Sequence, residues 1–561
     1  MQSSPSHLAT KERYPTRGGF FVHPDARTII ALIACTGLFL FFACFRVQEP
    51  GLEYDEVLFA NAALGNLDGS FLAYALRIGH RNVPIMLMPY IGAVKAWIYA
   101  FIFTVAPISP ATVRLPMIFL GVVTLVATYL FAVTLFNRTT GIIAVTLLST
   151  DPVFIFQSRM DWGPIAIMML LKMGSLYLFA RFIETRRILV LAAASFCLGL
   201  GVYDKVNFAW YVLALPFAAI LAWRAQCLQF VNRKTISVFV LALLLGCWPL
   251  IVYNMVQPGA TFKGQLESHR TLTQTLRNQT YLITATFSGR GTYQYVNGES
   301  LGTTVKQYNQ TLARFIPHNT FTLDVFIISL LGLPLFRKRP RELSALIFIV
   351  TLLLLIAVQI YFTPHATGPH HVMMLYPFPH MVIGFMLSGL LTNTSIFGRR
   401  LWKSIGLTLL SVLVVTNIGV DSGYLLGLTT VGGSGVWSDA IYDLEDYTQQ
   451  AKTQDYFLMD WGFNTQLLLL SHGGIHKTEI FWNLLDPKNE IALARSLYVM
   501  QLRQPTAFVF HSPKYTAFDE PRRIFDRMLT QNHLSSKVIK TFRQRNGDVV
   551  YVVEKVEPAV P

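Results

Sequence analysis

The chain has 561 residues, of which 53% are hydrophobic and only 14% are charged. Soluble globular proteins normally carry about 25% charged residues, so this composition excludes an ordinary soluble protein. The formal net charge of +15 would suggest a nucleic-acid partner in a soluble chain. Here the basic residues stand mainly in short loops between apolar runs, and we expect no nucleic acid to bind.

Eleven apolar runs are predicted to cross a lipid bilayer as helices, because a spanning helix needs about 20 mainly apolar residues. In chain order they are residues 28–46, 112–136, 141–156, 164–182, 188–202, 206–223, 236–255, 322–336, 344–361, 372–391 and 405–420. Basic residues cluster before the first run and in every second short loop, which the positive-inside rule places in the cytoplasm. This orientation predicts a cytoplasmic tail at 1–27, a transmembrane region at 28–420, and extracytoplasmic loops at 47–111 and 256–321.

The first of these loops contains two predicted interfacial elements. Residues 55–65 (DEVLFANAALG) favour a short helix with acidic residues in its first turn, where carboxylates suit the helix dipole. Residues 83–106 are nearly apolar, but Pro84, Pro89 and Lys95 interrupt them, and a crossing here would invert every later loop. We therefore expect a helix that lies along the membrane surface.

The chain becomes more polar after about residue 421. Strand-like runs occur at 456–459, 507–510 and 549–553. The helical patterns around them are at 438–448, 463–471, 489–503 and 520–530. This alternation predicts a small extracytoplasmic α/β domain over residues 421–561.

Adjacent carboxylates, Asp55 and Glu56, follow the first span at the predicted outer membrane surface. A carboxylate that is partly desolvated there suits acceptance of a proton from an attacking nucleophile. The alternative is structural, since the same residues form the acidic first turn of a helix. Asp161 and Asp204 emerge at the same face between later spans, and Asp161 joins Asp55 and Glu56 as a candidate catalytic residue.

Basic and histidine side chains are predicted at this same face. The candidates for binding a donor phosphate or sugar, together with Asp204, are His80, Arg81, Lys95, Lys205, His370 and His371. Cationic groups suit a phosphate, and a carboxylate suits sugar hydroxyls. Two alternatives stay open: Asp204 and Lys205 form a local ion pair, or the two adjacent histidines belong to an interfacial polar belt. The histidines lack the ligand spacing of a zinc site, so we expect no metal site and no cofactor, with dependence on a divalent metal left open.

The triplet Asp-Trp-Gly occurs twice, at residues 161–163 and 460–462. The first copy precedes a predicted span and the second follows a predicted strand. Because the contexts differ, we interpret the repetition as a coincidence.

The order of these features resembles a known family. The match comprises the first span, the acidic pair, the interfacial elements and the run RLPMIFLGVVTLVATYLFAVTLFNRTTGIIAVTLLSTDPVFIFQSRMDWGP. Over residues 28–210, with a weaker match at 369–379 (PHHVMMLYPFP), the chain resembles the bacterial family-39-like glycosyltransferases of the GT-C fold. That group includes protein O-mannosyltransferases and lipid A aminoarabinose transferases. The segment after residue 421 is not covered by the resemblance.

The resemblance implies transfer of a sugar from a polyprenyl-phosphate donor to a lipid, glycan or protein acceptor, outside the bacterial plasma (inner) membrane. By position it implies that Asp55 is the catalytic base or the organiser of the acceptor, Glu56 its neighbour, and Asp161 the acidic residue after the third span. The element expected after the acidic pair departs from the family pattern at 80–84 (HRNVP). Arg81 is therefore the favoured phosphate ligand, with Lys95 and Lys205 in reserve.

Two other classes of function compete with the transferase. A transporter or flippase of lipid-linked sugars would also have many spans, but it typically shows two related halves and binding residues at the bilayer midplane. Neither feature is visible, since the ionisable residues lie at the ends of the predicted spans. A sensor or assembly protein with a partner-binding tail is the third class.

Overall fold

The computed structural model describes residues 25–67, 72–79, 81–263, 271–336, 339–363, 366, 368–392, 399–450, 455–474, 477–481 and 506–558. Helices of the membrane part, and the short helices between them, are numbered along the chain. They are α1 (Ala26–Cys44), α2 (Tyr54–Leu64), α3 (Val94–Ile102), α4 (Pro110–Leu135), α5 (Arg138–Ser149), α6 (Pro152–Arg159), α7 (Ile165–Thr185), α8 (Ile188–Asp204), α9 (Ala209–Phe230), α10 (Arg233–Val256), α11 (Leu272–Phe287), α12 (Arg290–Asn297), α13 (Leu301–Tyr308), α14 (Thr322–Leu331), α15 (Pro340–Tyr361), α16 (Pro369–Val372), α17 (Phe378–Thr392) and α18 (Arg399–Val431).

The remaining elements are a three-stranded sheet in the first loop and a carboxy-terminal α/β region. The first sheet is formed by β1 (Tyr74–Ile78), β2 (Arg81–Met88) and β3 (Ile91–Gly92). The α/β region contains α19 (Ala440–Gln450), β4 (Asp455–Leu458), α20 (Asn464–Leu470), β5 (Lys477–Glu479), β6 (Thr506–His511), α21 (Asp519–Gln531), β7 (Leu534–Arg543) and β8 (Val549–Pro558).

The predicted polytopic helical fold is confirmed. Within the described residues, seven helices are long and apolar enough to cross a membrane, and the bent pairs α5–α6 and α16–α17 raise this number to nine. Every one of the eleven predicted runs coincides with a helix or a bent pair. The count of eleven requires α8 and α14 to cross as well, and these have only 17 and 10 residues.

Proline explains the sharper of the two bends, 62° between α5 and α6. Pro152 is the first residue of α6, and the Asp151 side chain caps that helix by accepting hydrogen bonds from the backbone N–H groups of Val153 and Phe154. Because proline lacks an N–H and disfavours the helical conformation of the preceding residue, the helix ends and restarts here.

The predicted interfacial helix at 83–106 is wrong in its first half. Residues 81–88 form β2, which pairs antiparallel with β1, and only Val94–Ile102 is helical. The prolines disfavour a helix, and a tertiary contact supports the strand: the Tyr203 hydroxyl donates to the Ile85 carbonyl over 2.7 Å and accepts from the Ala93 N–H over 3.2 Å. No pattern within the segment reveals that contact with α8.

The carboxy-terminal region is built on a five-stranded sheet in the order β5-β4-β6-β8-β7. Strands β5, β4 and β6 are parallel, and β6, β8 and β7 are antiparallel neighbours. The three predicted strands are present, but β5 and β7 were not predicted; β7 is an edge strand whose polar side chains are largely exposed. The predicted helix at 489–503 lies outside the described residues. Helix α18 continues eleven residues beyond the predicted span end at 420.

Contacts between α2 and α20 place this region against the first loop. The Asn61 side-chain amide donates to the Thr465 carbonyl over 2.7 Å, and the Thr465 hydroxyl donates to the Tyr54 carbonyl over 2.8 Å. Arg545, in the turn between β7 and β8, lies 2.7 Å from carboxylate oxygens of both Glu49 and Asp439. The α/β region is thereby attached to the loop that follows α1.

A buried carboxyl group on α18 is a predicted source of instability. Asp421 is fully buried, and within the described part of the chain neither of its oxygens has a hydrogen-bond partner. We expect Asp421→Leu to stabilise the protein by about 1–3 kcal/mol, because it removes an uncompensated desolvation cost. Thermal unfolding in detergent checks this, with Asp446→Leu, at an exposed position of α19, as the control. A lower Tm for Asp421→Leu would contradict the prediction.

Candidate active site

The candidate site lies where the first loop meets the ends of several membrane helices, on the side that carries the α/β region. The loop after β2 touches the junction of α8 and α9: Lys205 pairs with Ile91 in an isolated β-bridge, and the Val206 N–H donates to the Tyr90 carbonyl over 3.1 Å. Helices α2 and α3 and the turn before α7 complete the surroundings.

Lys95 and Asp161 form a buried ion pair at the base of the site. The Lys95 ammonium lies 3.1 Å from Asp161 Oδ2, and it also donates to the main-chain carbonyls of Asp161 and Gly163. Asp161 Oδ1 accepts from the backbone N–H groups of Ile165 and Ala166 over 2.8 and 3.3 Å, at the start of α7. Burial raises the pKa of Asp161 although Lys95 opposes the rise. Both side chains are therefore occupied by each other and by backbone.

Glu56 and Arg114 form a second buried pair, which is bidentate. Arg114 Nε and Nη2 lie 2.7 and 2.9 Å from the two Glu56 oxygens. The same guanidinium donates to the carbonyls of Val47, Pro50 and Gly51 in the loop after α1. The sequence analysis assigns Glu56 to catalysis, but the structure places both of its oxygens in a contact that joins α2 to α4.

Asp55 is the carboxylate of the acidic pair that stays available. It is half-buried, and no described residue donates a hydrogen bond to its carboxylate. Its own N–H donates to Glu53 Oε2 over 2.8 Å, which fixes the start of α2. Burial raises the pKa of Asp55, and the nearby ammonium groups of Lys205 and Lys95 oppose that rise. A carboxylate with a raised pKa and no internal donor is suited to accept a proton.

Lys205 is the one lysine of this site without a partner among the described residues. Only 4% of it is exposed, yet no described acceptor lies within hydrogen-bond distance of its ammonium group. Burial lowers the pKa of Lys205 to about 8, while the charges of Asp161, Asp55 and Asp204 oppose the fall. A buried ammonium that lacks an acceptor favours the binding of an anion.

A glycine lies beside this ammonium group. Gly163 has φ +119°, a conformation that L side chains rarely adopt, and a Cβ atom there would lie 3.4 Å from Lys205 Nζ. Asp204, by contrast, is fully buried, and neither of its oxygens has a hydrogen-bond partner in the described chain. The local ion pair that the sequence analysis left open between Asp204 and Lys205 is not formed.

The two adjacent histidines lie beside the same site. The Trp162 indole N–H donates to His370 Nδ1 over 2.8 Å, and the rings of His370 and His371 are 4.0 Å apart. The Lys205 ammonium is among the charges that act on both imidazoles. The structure therefore brings both histidines to the cluster of lysines and aspartates.

Two predicted ligands are not described. His80 lies outside the described residues, and Arg81 is described only as part of β2, without its side chain. Among the described residues, no group of three or more His, Cys, Asp or Glu side chains could hold a metal ion. The absence of a metal or cofactor stays a prediction.

Two tryptophans from the end of the chain reach this site and were not predicted. Trp461 packs against Tyr54 with ring centroids 5.0 Å apart, and Trp437 meets Trp162 edge-on at 5.0 Å. For Trp461 the repeated Asp-Trp-Gly triplet was the available signal. The glycines of the two copies, Gly163 and Gly462, both have positive φ, +119° and +109°.

Comparison with known proteins supports the fold. Residues 92–253 match the family model of dolichyl-phosphate-mannose-protein mannosyltransferases, which is less than half of the chain. That segment includes Lys95, Asp161, Asp204 and Lys205 but not Asp55. No curated protein sequence matches the chain significantly.

Solved structures agree over nearly the whole chain. The structure of ArnT from Cupriavidus metallidurans bound to undecaprenyl phosphate is similar with a TM-score of 0.58 at 13% identity, covering 94% of this chain and 97% of that one. The oligosaccharyltransferase of Archaeoglobus fulgidus, tethered with an acceptor peptide, is similar with a TM-score of 0.53 at 12% identity, covering 93% and 74%. The predicted resemblance is thereby confirmed: the chain is an integral membrane protein with the GT-C fold, the fold of membrane glycosyltransferases.

Proposed function

We propose that this protein transfers a sugar from a polyprenyl-phosphate donor to an acceptor at the membrane surface that carries the α/β region. The observation that carries the proposal is that two unpartnered groups occur in one site. Lys205 is buried, and its ammonium group has no partner in the described chain. Asp55 is half-buried, and its carboxylate accepts no hydrogen bond from that chain. One similar structure contains undecaprenyl phosphate, and another contains dolichol phosphate and an inhibitory peptide. In this proposal the site faces the extracytoplasmic side of a bacterial plasma membrane, as the basic loops predict.

Lys205 is the best-supported ligand for the donor phosphate. Lys95 is occupied by Asp161 and by two carbonyls, and the side chain of Arg81 is not described. A phosphate beside Lys205 supplies the acceptor that this ammonium group lacks. The residue first favoured by the sequence, Arg81, is therefore replaced in the proposal by Lys205.

The transfer step assigns one role to each of these two groups. Asp55 takes the proton from the acceptor hydroxyl or amine as that atom forms its bond to the anomeric carbon. The bond between this carbon and the phosphate oxygen breaks, and its electron pair leaves with the lipid phosphate, whose charge Lys205 stabilises. Attack opposite the phosphate inverts the anomeric centre. Positioning and charge stabilisation supply most of the catalysis.

Release of the carrier distinguishes this function from transport. The purified protein in liposomes is incubated with a radiolabelled polyprenyl-phosphate sugar and a membrane extract that contains candidate acceptors, and free polyprenyl phosphate is measured. A transferase releases it in an acceptor-dependent manner. A flippase moves the intact labelled lipid between leaflets without release, and that result would overturn the proposal.

The phosphate site gives a prediction of its own. We expect Lys205→Met to raise the Kd for undecaprenyl phosphate by about 10- to 100-fold, since a hydrogen bond to a charged group contributes about 1.5–3 kcal/mol. Because the pKa of Lys205 is about 8, binding by the unaltered protein should weaken as the pH rises through 8, and binding by Lys205→Met should not show this change. Titration calorimetry in detergent measures both, with Lys263→Met, at an exposed position, as the control. An unchanged Kd for Lys205→Met would rule out this ligand.

A further inference from the structure

Trp162 determines which nitrogen of His370 carries the proton. The indole N–H of Trp162 lies 2.8 Å from His370 Nδ1, and an indole N–H is a donor without acceptor capacity. His370 Nδ1 must therefore be the unprotonated acceptor. In a neutral imidazole the proton then resides on Nε2, which becomes a hydrogen-bond donor.

The tryptophan is held rigidly enough to enforce this arrangement. Its side chain is buried; it packs edge-on against Trp437, with ring centroids 5.0 Å apart, and in a tilted arrangement against Tyr295, with ring centroids 5.4 Å apart. On one side of it along the chain Asp161 is bound to Lys95 and to the start of α7, and on the other side Gly163 accepts a hydrogen bond from Lys95. The indole is thus held by ring contacts from α12 and from the segment after α18, and Lys95 of α3 holds the main chain on both sides of it.

The titratable groups that act on His370 are its neighbour His371 and Lys205. Burial of the ring and the positive charge of the Lys205 ammonium favour a neutral His370 imidazole, and a neutral imidazole has only one N–H donor. In the Nδ1–H tautomer the donor would face the indole N–H, which is also a donor. In the Nε2–H tautomer the donor points away from the indole.

We infer that Trp162 is a positioning residue that keeps His370 in the Nε2–H form, so that the imidazole donates a second hydrogen bond to the lipid phosphate held by Lys205. This inference rests on the proposed function, because it names a further ligand of the same phosphate. It also explains why a tryptophan occupies the turn before α7: phenylalanine would pack similarly but has no N–H to direct at Nδ1.

The first test reads the tautomer directly. Protein labelled with ¹⁵N-histidine is compared by NMR with the Trp162→Phe variant, and the His370 signal is identified by its loss in His370→Gln. The unaltered protein should show a single neutral tautomer with a protonated Nε2, and Trp162→Phe should show a mixture. The matched control is Trp97→Phe, which removes another indole hydrogen bond, to the Pro84 carbonyl over 2.9 Å. A single Nε2–H tautomer in Trp162→Phe would overturn the inference.

The second test measures binding of undecaprenyl phosphate and does not depend on how Trp162→Phe folds. His370→Gln places an amide N–H donor near the position of Nε2, whereas His370→Asn places its amide near the position of Nδ1. We expect the Gln variant to keep a Kd within about twofold of normal, and the Asn and Trp162→Phe variants to bind about three- to tenfold more weakly. Equal affinity of the Gln and Asn variants would contradict the inference.

Lys205→Met separates failure of the inference from failure of the proposed function. If Lys205→Met weakens binding and the His370 pair does not differ, the phosphate site stands and the role of Trp162 is wrong. If neither Lys205→Met nor any His370 variant changes the Kd, the phosphate lies elsewhere, and both the inference and this part of the proposed function are overturned.

Discussion

Asp55→Asn is expected to lower the rate of sugar transfer by about 10²- to 10⁴-fold, the usual contribution of a positioned general base. The amide has nearly the same shape but cannot take the proton of the acceptor. Binding of undecaprenyl phosphate should change far less, because the cation assigned to the phosphate is Lys205. Release of free polyprenyl phosphate from a labelled donor measures the effect, and Asp443→Asn, at an exposed position of α19, is the matched control.

The pH dependence and the stability of this variant are expected to support the same role. Since burial raises the pKa of Asp55, transfer by the unaltered protein should fall as the pH drops through that raised pKa, because protonation removes the base. A raised folded-state pKa also means that ionisation of Asp55 opposes folding, so that Asn should keep or slightly raise the Tm at neutral pH. Near-normal transfer by Asp55→Asn would rule out this base.

Glu56→Gln is expected to destabilise the protein by about 3–5 kcal/mol, because it leaves the buried guanidinium of Arg114 without its carboxylate. The effect should appear as a lower Tm in detergent. The double variant Glu56→Met with Arg114→Met should recover part of the loss, since it removes both charges together. Asp526→Asn is the control: its pair with Arg522 is largely exposed, and exposed pairs contribute about 0–1 kcal/mol.

This experiment also decides between the two roles of Glu56. The sequence analysis places it in the catalytic group, whereas its bidentate contact with Arg114 supports a structural role. A variant Glu56→Gln with a normal Tm and no transfer would favour catalysis. A variant with a lowered Tm, whose folded fraction still transfers sugar, would favour structure.

The grouping of the predicted site residues at one face follows from the pattern of spans. Span ends carry the ionisable groups of this chain, and alternate span ends lie on one side of a membrane, so that Asp55, Asp161 and Lys205 were expected at one face. The charges of Asp55 and Asp161 both act on Lys205. Which lysine is proposed to bind the phosphate was not predictable, because the choice depends on which lysine already has a hydrogen-bond acceptor. That fact follows from the contact of Lys95 with Asp161, 66 residues away.

The β1–β2 hairpin and the positions of Trp437 and Trp461 were not predicted from the sequence. A nearly apolar segment with two prolines is compatible with several structures, and β2 is supported by the Tyr203 side chain of a distant helix. Trp461 lies against Tyr54 because α20, which begins three residues later, docks on α2 through Thr465, and Trp437 reaches Trp162 from the segment after α18. The composition of a segment does not determine which surface of the folded protein the segment will contact.

The amino-acid sequence by itself determined the membrane architecture, the alternating strands and helices of the terminal region, and the face on which charged groups gather. These properties follow from the local cost of placing polar atoms in lipid and from short-range periodicity. The tertiary structure alone decided that Glu56 and Lys95 are bound by partners, that the Asp55 carboxylate and the Lys205 ammonium form no hydrogen bond with the described chain, and that Trp162 faces His370. Such pairings depend on contacts between helices that are far apart along the chain. Whether a buried polar group has a hydrogen-bond partner is decided by these tertiary contacts.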